Sequence, residues 1–169
     1  MTKEVKEIRA TLCYLICDGK TLMKYRLGNR EDMHYGKWVA PGGKFEENET
    51  AGECNNREFL EETNLRLKDP TYRGTVIFNN QGRTFKGKQQ PNWCVDIFSA
   101  TEYTGKLKQP EKEKLEWVCN ENLLNLPMWE GDKIFTKLVL EDRRLFKITF
   151  RYDGENLVDY EVEFVDSKI

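Results

Sequence analysis

One stretch of 24 residues, "GGKFEENETAGECNNREFLEETNL" (42–65), constrains this chain more than any other. It holds seven glutamates, and three of them, Glu58, Glu61 and Glu62, recur at the spacing of one helix face. If Glu58 defines 0°, Glu61 falls at about -60° and Glu62 at about +40°, a wedge of about 100°. Like charges at this spacing repel each other, so the pattern predicts a cation that compensates them.

The same stretch indicates where the helix begins and ends. Asn48 or Thr50 can cap its start, and Thr50 with Glu53 has the spacing of a capping box. Asn64 tolerates the left-handed conformation that ends many helices. Phe59 points away from the acidic wedge and can anchor the helix in a core. The segment is therefore predicted to be a short amphipathic helix with an acidic side.

An acidic wedge of this kind suits a hard divalent cation. Mg²⁺ prefers oxygen ligands, and substrate phosphates commonly complete its coordination shell. Arg57 lies beside the wedge and could hold one carboxylate in place. The alternative is a solvated acidic face, which is the usual role of acidic runs. The weak helix formers Gly52, Asn55 and Asn56 argue for function, because a helix kept for stability alone would avoid them.

The composition limits the classes of protein that fit. The 169 residues suit one domain, and 33% charged with 38% hydrophobic residues indicates a soluble, folded chain. A net charge of -2 argues against binding long nucleic acid. The apolar run at 11–17 is too short to span a bilayer, and no signal peptide is visible. Five cysteines without a CxxC pair indicate reduced thiols in the cytoplasm, and a single histidine argues against zinc.

Strands and helices alternate irregularly along the chain, which predicts one mixed α/β (α+β) sandwich domain. Alternating patterns predict strands at 8–17, 21–27, 38–40, 71–78, 92–103 and 114–119. A one-sided apolar stripe predicts a helix at 132–143, after a short helical turn at 121–126. The segments 145–152 and 156–165 flank "DGE" and predict a C-terminal hairpin.

The loop "NNQGRTFKGKQQ" (79–90) carries Arg83, Lys86 and Lys88 and no acidic residue. The favoured interpretation is a solvated hairpin tip, since loops usually lie at the surface. The alternative is a mobile basic flap that helps to draw in a phosphorylated substrate.

The spacing G-x5-E-x7-R-E-F-x-E-E runs from Gly43 through Glu49 and Arg57 to Glu62. It resembles the Nudix box, the signature of the Nudix hydrolases, with Asn64 where the family pattern has glycine. The resemblance implies a Nudix-type α/β/α sandwich with a mixed central sheet, a loop–helix–loop formed by the box, and a C-terminal β-hairpin. The implied domain spans 1–169, with a core at about 8–166.

The resemblance also implies a site and a cofactor. Mg²⁺, with Mn²⁺ as a substitute, would bind the main ligands Glu58, Glu61 and Glu62 and the carbonyl of Gly43, with Arg57 as a catalytic partner of the glutamates. The family takes its general base either from the box or from a later loop. Glu49, Glu111 and Glu113 are therefore candidates for the general base or an extra metal ligand.

The flanking segments "GKWVAPGGK", "NWCVDIF", "MWEGD" and the C-terminal hairpin resemble the MutT-type 8-oxo-dGTP diphosphatases. This resemblance implies that Trp129 packs against a purine base and that Asp132 bonds its edge. Trp129 follows Pro127 in a loop that leads into a helix, so it is expected to be exposed. The resemblance also makes Trp93 and Lys44 substrate contacts. In some members an asparagine that reads the base stands at the position of Val39, so selectivity for 8-oxoguanine is expected to be weaker here.

The implied function is hydrolysis of an oxidised purine nucleoside triphosphate to the monophosphate and pyrophosphate, which serves nucleotide-pool sanitation and DNA repair. The alternative is a Nudix pyrophosphatase for ADP-ribose, a nucleotide sugar or a capped RNA end. A binding module with an inactive box is a third reading, against which the intact glutamates argue. The expected partner is a small nucleotide, the expected assembly a monomer or homodimer, and His34 is expected to make structural contacts.

Overall fold

A computed structural model describes residues 5–165, so residues 1–4 and 166–169 of the predicted domain lie outside the described part. The strands are β1 (Glu7–Cys17), β2 (Lys20–Arg26), β3 (Trp38–Val39), β4 (Gly42–Lys44), β5 (Leu65–Lys68), β6 (Thr71–Asn79), β7 (Thr84–Phe85), β8 (Lys88–Gln89), β9 (Asn92–Ala100), β10 (Glu102–Gly105), β11 (Glu113–Cys119), β12 (Leu145–Asp153) and β13 (Asn156–Val165). The helices are α1 (Ala51–Thr63), α2 (Asn120–Leu123) and α3 (Glu130–Glu141).

A mixed sheet forms the centre of the molecule. Its strand order is β11-β2-β1-β9-β6-β12-β13, with β3 added to β2 and β4 added to β1. The pairs β1–β9 and β6–β12 are parallel, and the other pairs in this sheet are antiparallel. β1 contacts β2, β4 and β9, so it connects most of the strands that later define the site.

The two faces of β1 bury different helices. Tyr14 belongs to the cluster that contains Phe135 of α3, and its ring meets that of Phe135 edge-on. Cys13 and Leu15 point to the other face, where they share a cluster with Phe59 of α1. Successive strand residues face opposite sides of a sheet, so the helices lie on the two faces. The predicted α/β/α sandwich with a mixed central sheet is confirmed.

Several element boundaries differ from the prediction. The predicted strand 92–103 is two strands, β9 and β10, and β10 pairs with β5 in a separate two-stranded sheet. The strand β5 is not predicted from the sequence, because its segment "LRLK" is short and lies directly after the helix. The C-terminal hairpin is confirmed: β12 pairs with β13 from Leu145↔Val165 to Asp153↔Asn156.

The predicted ends of α1 are confirmed. Thr50 is the N-cap, and it forms the reciprocal capping box with Glu53. Asn64 is the C-cap with φ 66°, and its side-chain Nδ2 donates to the carbonyl of Lys106 at 3.0 Å. Asparagine therefore serves here in the left-handed position that glycine usually occupies.

The segment 79–90 is a folded hairpin, in which β7 pairs with β8. The amide of Gln89 donates to the carbonyls of Asn80 and Arg83, which closes the hairpin from within. Arg83 is only 5% exposed. The prediction of a solvated tip is therefore wrong for Arg83, because the hairpin packs its first half against the body of the protein.

The structure bears on two predictions, one about the cysteines and one about membrane-spanning segments. All five cysteines lie among the described residues and are free, in agreement with reduced thiols. Across residues 5–165, the helices are too short or too polar for any of them to cross a bilayer.

The approach of β4 to β1 leaves no room for a side chain at Gly42. A Cβ built on Gly42 would lie 1.9 Å from the carbonyl oxygen of Thr11, whereas one built on Gly52 of α1 meets no atom within 4 Å. Backbone atoms of a central strand cannot move aside easily, so Gly42 is required for this strand pair.

We therefore predict that Gly42→Ala lowers the free energy of unfolding by about 2–4 kcal/mol, because β4 must separate from β1. The control Gly52→Ala should raise it by up to about 1 kcal/mol, since alanine favours a helix over glycine. Urea unfolding of both variants measures the difference. A Gly42→Ala protein as stable as the wild type would show that β4 is not held at this distance.

Candidate active site

Arg57 compensates most of the negative charge on α1. Its Nε and Nη2 donate to the two carboxylate oxygens of Glu49 at 2.6 and 2.9 Å. Its Nη1 donates to Glu58 at 2.7 Å and to Glu61 at 3.3 Å. Arg57 Nη2 also donates to the carbonyl of Lys44 at 3.0 Å. The arginine was expected to hold one carboxylate, and it holds three together with the β4 backbone.

The contacts of Arg57 with Glu49, Glu58 and Glu61, here called the Arg57 clamp, shift the pKa values of Glu49 and Arg57. The hydrogen bonds from Arg57 lower the pKa of the Glu49 carboxyl to about 2. The same bonds raise the pKa of the Arg57 guanidinium. Both groups therefore stay charged across the physiological pH range, and the geometry of the clamp does not depend on pH there.

Glu62 has a different cation. The Lys24 ammonium on β2 donates to Glu62 at 2.7 Å, and the backbone N–H of Gly42 donates to its other oxygen at 3.2 Å. Lys24 is 4% exposed, whereas the Glu62 side chain is 23% exposed, so the ion pair is buried at its lysine end. Burial raises the pKa of Glu62, and Lys24 and the Gly42 N–H oppose that shift. The pair attaches α1 to β2.

Gly43 lies directly under Glu58. A Cβ on Gly43 would lie 2.1 Å from a Glu58 carboxylate oxygen, so only glycine lets the carboxylate approach the β4 backbone. Within residues 5–165, no three acidic, histidine or cysteine side chains surround a common point as a preformed cage. The carboxylates of α1 do not converge because they face different cations. Glu58 and Glu61 face Arg57, whereas Glu62 faces Lys24.

The structure separates the two later candidates for a general base. Glu113 begins β11, and its carboxylate lies 3.9 Å from the Lys24 ammonium that holds Glu62. Glu111 is exposed in the preceding loop, in a second, shallow depression that also includes Glu113 and Lys112. Glu113 is thus adjacent to the carboxylate group of α1, and Glu111 has no contact with it among the described residues.

A cavity of about 800 Å³ joins these carboxylates to an aromatic region. Gly43, Glu58, Glu62 and Lys24 line one part of it, although Glu61 does not. The residues of the other part are Phe78, Trp129, Asp132, Phe135 and Tyr152, with Arg83 and His34 beside them. The size is typical of a pocket for a small ligand. The lining combines aromatic and aliphatic side chains with many charged and polar ones.

A family model described as the NUDIX domain matches residues 6–139. The chain belongs to the Nudix family. It is 31% identical over 157 residues to the uncharacterized Nudix hydrolase YvcI of Bacillus subtilis (strain 168), covering 92% of this chain and 94% of that one. It is 26% identical over 148 residues to the oxidized purine nucleoside triphosphate hydrolase of Danio rerio, covering 88% of each.

A solved structure agrees with this assignment. The crystal structure of the mutator MutT protein from Bacillus halodurans matches with a TM-score of 0.78 and 34% identity, covering 92% of this chain and 97% of that one. The predicted resemblance to Nudix hydrolases of MutT type is confirmed. The protein is a Nudix hydrolase, an enzyme that acts on pyrophosphate bonds.

The exposed loop position expected for Trp129 from its place after Pro127 is wrong. Trp129 is the N-cap of α3 and is 8% exposed, with its indole N–H donating to His34 Nδ1 at 2.8 Å. Lys37 and Arg83 lie over its ring at 4.4 and 4.9 Å from the centroid. The indole therefore forms a fixed wall of the cavity.

His34 also lines this cavity and is not only a structural loop residue. Burial, together with the neighbouring cations Arg26, Arg83 and Lys37, lowers its pKa to about 4, against the opposing charge of Asp32. The ring is therefore neutral near pH 7, with Nδ1 free to accept the Trp129 bond and the proton on Nε2.

Asp132 lies in the first turn of α3, at the aromatic part of the cavity. Burial raises the pKa of its carboxyl to about 7, and the positive charges of Arg83 and Lys37 oppose that shift. A carboxyl with this pKa exists in both protonation states near neutral pH, so it can accept or donate a hydrogen bond.

The remaining predicted contacts occupy the rim. Trp93 on β9 and the exposed Lys44 on β4 both line the cavity, with the ammonium 5.7 Å from the indole centroid. Val39 lines it as well, where an asparagine would add a polar group. Trp38 and Trp117, expected to be scaffold residues, pack in the two core clusters.

The sequence does not predict Lys24 in this site, nor the position of Arg83 beside Trp129. Lys24 lies in "TLMKYRL", where a charged residue in an apolar strand is the available signal. Arg83 lies in the basic loop 79–90, for which attraction of phosphates was the alternative role, and nothing local places it at the aromatic region. Both are 5% exposed or less, and both lie against partners far away in the sequence.

The pKa of Asp132 makes a prediction about stability. Its carboxyl titrates near 3.8 when unperturbed and near 7 in the folded protein, so the folded state retains a proton that the unfolded state loses. The free energy of unfolding must then fall as pH rises through this interval. In Asp132→Asn this fall should be absent, and the variant should gain about 1–3 kcal/mol relative to the wild type between those pH values.

Urea unfolding of both proteins at several pH values measures this difference. His34 contributes a slope of opposite sign, because its folded pKa is lowered, but it does so in both proteins and cancels. The exposed Asp153→Asn serves as the control and should follow the wild type. A constant difference between Asp132→Asn and the wild type would mean that Asp132 titrates normally.

Proposed function

We propose that this Nudix hydrolase cleaves an oxidised purine nucleoside triphosphate, such as 8-oxo-dGTP, to the nucleoside monophosphate and pyrophosphate. The observation that carries the proposal is the single cavity that connects the box carboxylates with an aromatic region. A triphosphate chain would lie beside Glu58 and Glu62, and the base would lie against Trp129. The oxidized purine nucleoside triphosphate hydrolase of Danio rerio, at 26% identity, supports this substrate class.

The residues of the box fit a divalent cation. Glu58, Glu61, Glu62 and the carbonyl of Gly43 supply only oxygen donors, which Mg²⁺ and Mn²⁺ accept. The close packing of Glu58 on Gly43 brings the Glu58 carboxylate against the β4 backbone. When bound, Mg²⁺ would offset phosphate charge and lower the pKa of a coordinated water.

The side chains around the box have separate roles in this proposal. Arg57 restricts Glu49, Glu58 and Glu61 to a narrow range of positions, so less conformational entropy is lost when they take up their ligand. Lys24 orients Glu62 and brings Glu113 to the same group. A box glutamate or Glu113 accepts the proton of the attacking water, whose oxygen ends on phosphorus as the phosphoanhydride bond breaks.

The aromatic part of the cavity is proposed to hold the purine. Trp129 is fixed by its bond to His34, so it offers a rigid apolar surface. Asp132 faces the same space and can match either a donor or an acceptor on the base edge, depending on its protonation. With Val39 in place of a polar side chain, we expect a preference for 8-oxo-dGTP over dGTP that is not strict.

The proposed function also implies a compartment, a class of partner and an assembly. We propose a cytoplasmic enzyme that acts on free nucleotides, needs neither long nucleic acid nor a membrane, and contributes to nucleotide-pool sanitation and DNA repair. Its free cysteines suit a reducing compartment. We propose that one domain over 1–169 carries the activity, as a monomer or homodimer.

A substrate panel with Mg²⁺ tests the proposal. The enzyme would be given 8-oxo-dGTP, dGTP, ADP-ribose and a dinucleoside polyphosphate, with products separated by chromatography. The expected result is the highest kcat/KM for 8-oxo-dGTP, with monophosphate and pyrophosphate in equal amounts. A higher kcat/KM for ADP-ribose or for the dinucleoside polyphosphate would assign the cavity to another Nudix substrate.

Glu61→Gln tests the metal site. Glu61 is 58% exposed in its side chain, and its contacts among the described residues are with Arg57 and with Lys108, through its carbonyl. We expect the variant to fold and to melt at least as high as the wild type without metal, because it relieves repulsion. Turnover at limiting Mg²⁺ should fall at least roughly tenfold. Near wild-type turnover there would refute the ligand role, and the exposed Glu141→Gln is the control.

Asp132→Ala tests the base pocket. We expect a loss of about 1–3 kcal/mol in kcat/KM for the preferred purine triphosphate, because one buried polar partner is removed. A pyrimidine triphosphate is too small to reach this partner and should lose much less. Competing-substrate kinetics on both proteins measures the effect. An equal loss for all bases would mean that Asp132 only shapes the start of α3.

A further inference from the structure

Arg83 is a buried cation with bonding capacity that the protein does not use. Its Nε donates to the carbonyl of Gly154 at 2.6 Å, and its Nη1 donates to the side chain of Asn80 at 3.2 Å. Its Nη2 is buried and has no hydrogen-bond partner among the described residues. Leaving a buried charged donor unpaired is unfavourable, so such a group calls for an explanation.

The surroundings of Arg83 hold its guanidinium in one plane. The group lies over the Tyr152 ring at 4.5 Å and over the Trp129 ring at 4.9 Å. The bond to Gly154 fixes it to the turn of the C-terminal hairpin, and the bond to Asn80 fixes it to its own hairpin. Few conformations are left to lose on binding, which makes the unpaired nitrogen a preorganised donor.

Arg83 and Asp132 line the same cavity and are near enough for each charge to shift the other's pKa. They form no ion pair within the part of the chain described here, and neither is saturated by the protein. A fixed donor beside a carboxyl matches a purine edge that carries a carbonyl oxygen. Adenine has no such oxygen, whereas guanine and the 8-oxo purines do.

We propose that Arg83 is a specificity-determining residue that donates a hydrogen bond from Nη2 to a carbonyl oxygen of the purine. The inference rests on the proposed function, since it needs a purine in this cavity. It explains how the site can favour oxygen-bearing bases although Val39 offers no polar group. It also gives the hairpin at 79–90 a role in base recognition, in addition to any attraction of phosphates.

Matched substrates test the inference. The triphosphates of guanine and 2-aminopurine deoxyribosides differ at position 6, where only guanine has a carbonyl. The triphosphates of 8-oxoadenine and adenine deoxyribosides differ at position 8, where only the first has a carbonyl. For each pair, kcat/KM of both members is measured on one preparation, so the ratio is independent of the fraction of folded enzyme.

In the wild type we expect the carbonyl-bearing member to be preferred in at least one pair. In Arg83→Gln that preference should fall roughly 10- to 100-fold, because a hydrogen bond from a charged donor is lost. Arg83→Lys keeps the charge and the long side chain but not the planar fork, and it should lose most of the preference as well. The exposed Arg151→Gln should keep the wild-type ratios.

Two results would overturn the inference without overturning the proposed function. If Arg83→Gln lowers kcat/KM equally for both members of each pair, Arg83 only holds the hairpin and Trp129 in place. If the wild type shows no preference in either pair, Arg83 reads no carbonyl. Equilibrium binding of dGMP and dAMP gives a readout that does not need turnover. A wild type that binds dGMP no better than dAMP and hydrolyses none of these triphosphates would overturn the proposed function together with the inference.

Discussion

The compensation of the carboxylates on α1 by Arg57 and Lys24 is the interaction on which the rest of the site depends. Glu58, Glu61 and Glu62 would repel each other on an isolated helix. Arg57 takes Glu58 and Glu61 together with Glu49, and Lys24 takes Glu62. Since Lys24 belongs to β2 and Arg57 also bonds the β4 backbone, the same contacts fasten the helix to the sheet.

These ion pairs differ in their energetic weight. The Arg57 clamp is partly exposed, so solvent screens it and its contribution to stability is modest. Lys24 is buried, so removing Glu62 would leave an uncompensated charge inside the protein. In the proposed function, both cations hold the carboxylates in place for the metal.

The cavity joins chemistry from distant parts of the fold. Ala10 of β1 pairs with Val95 of β9, and both line the cavity. At the aromatic part, Gly131 donates its N–H to the Tyr152 hydroxyl at 2.7 Å, and a Cβ there would lie 2.8 Å from that oxygen. The start of α3 is thereby fixed to β12, which sets the position of Asp132.

The sequence predicts the local features well and the long-range ones poorly. The capping box at Thr50, the left-handed Asn64 and the acidic face of α1 follow from spacing within one helix. Lys24 and its partner Glu62 are 38 positions apart in the sequence, and Arg83 and its partner Gly154 are 71 apart. No local sequence pattern predicts either contact. Trp129 was assigned to an exposed loop because Pro127 precedes it. Burial against His34, Lys37 and Arg83 is a tertiary effect that this signal does not contain.

The most direct test of the central claim is a crystal structure with Mg²⁺ and a non-hydrolysable α,β-imido analogue of 8-oxo-dGTP. We predict that the metal lies between the phosphate chain and Glu58, Glu61 and Glu62. We also predict that the base lies against Trp129 with Asp132 at its edge. A base bound outside this cavity, or a metal bound away from these glutamates, would contradict the account.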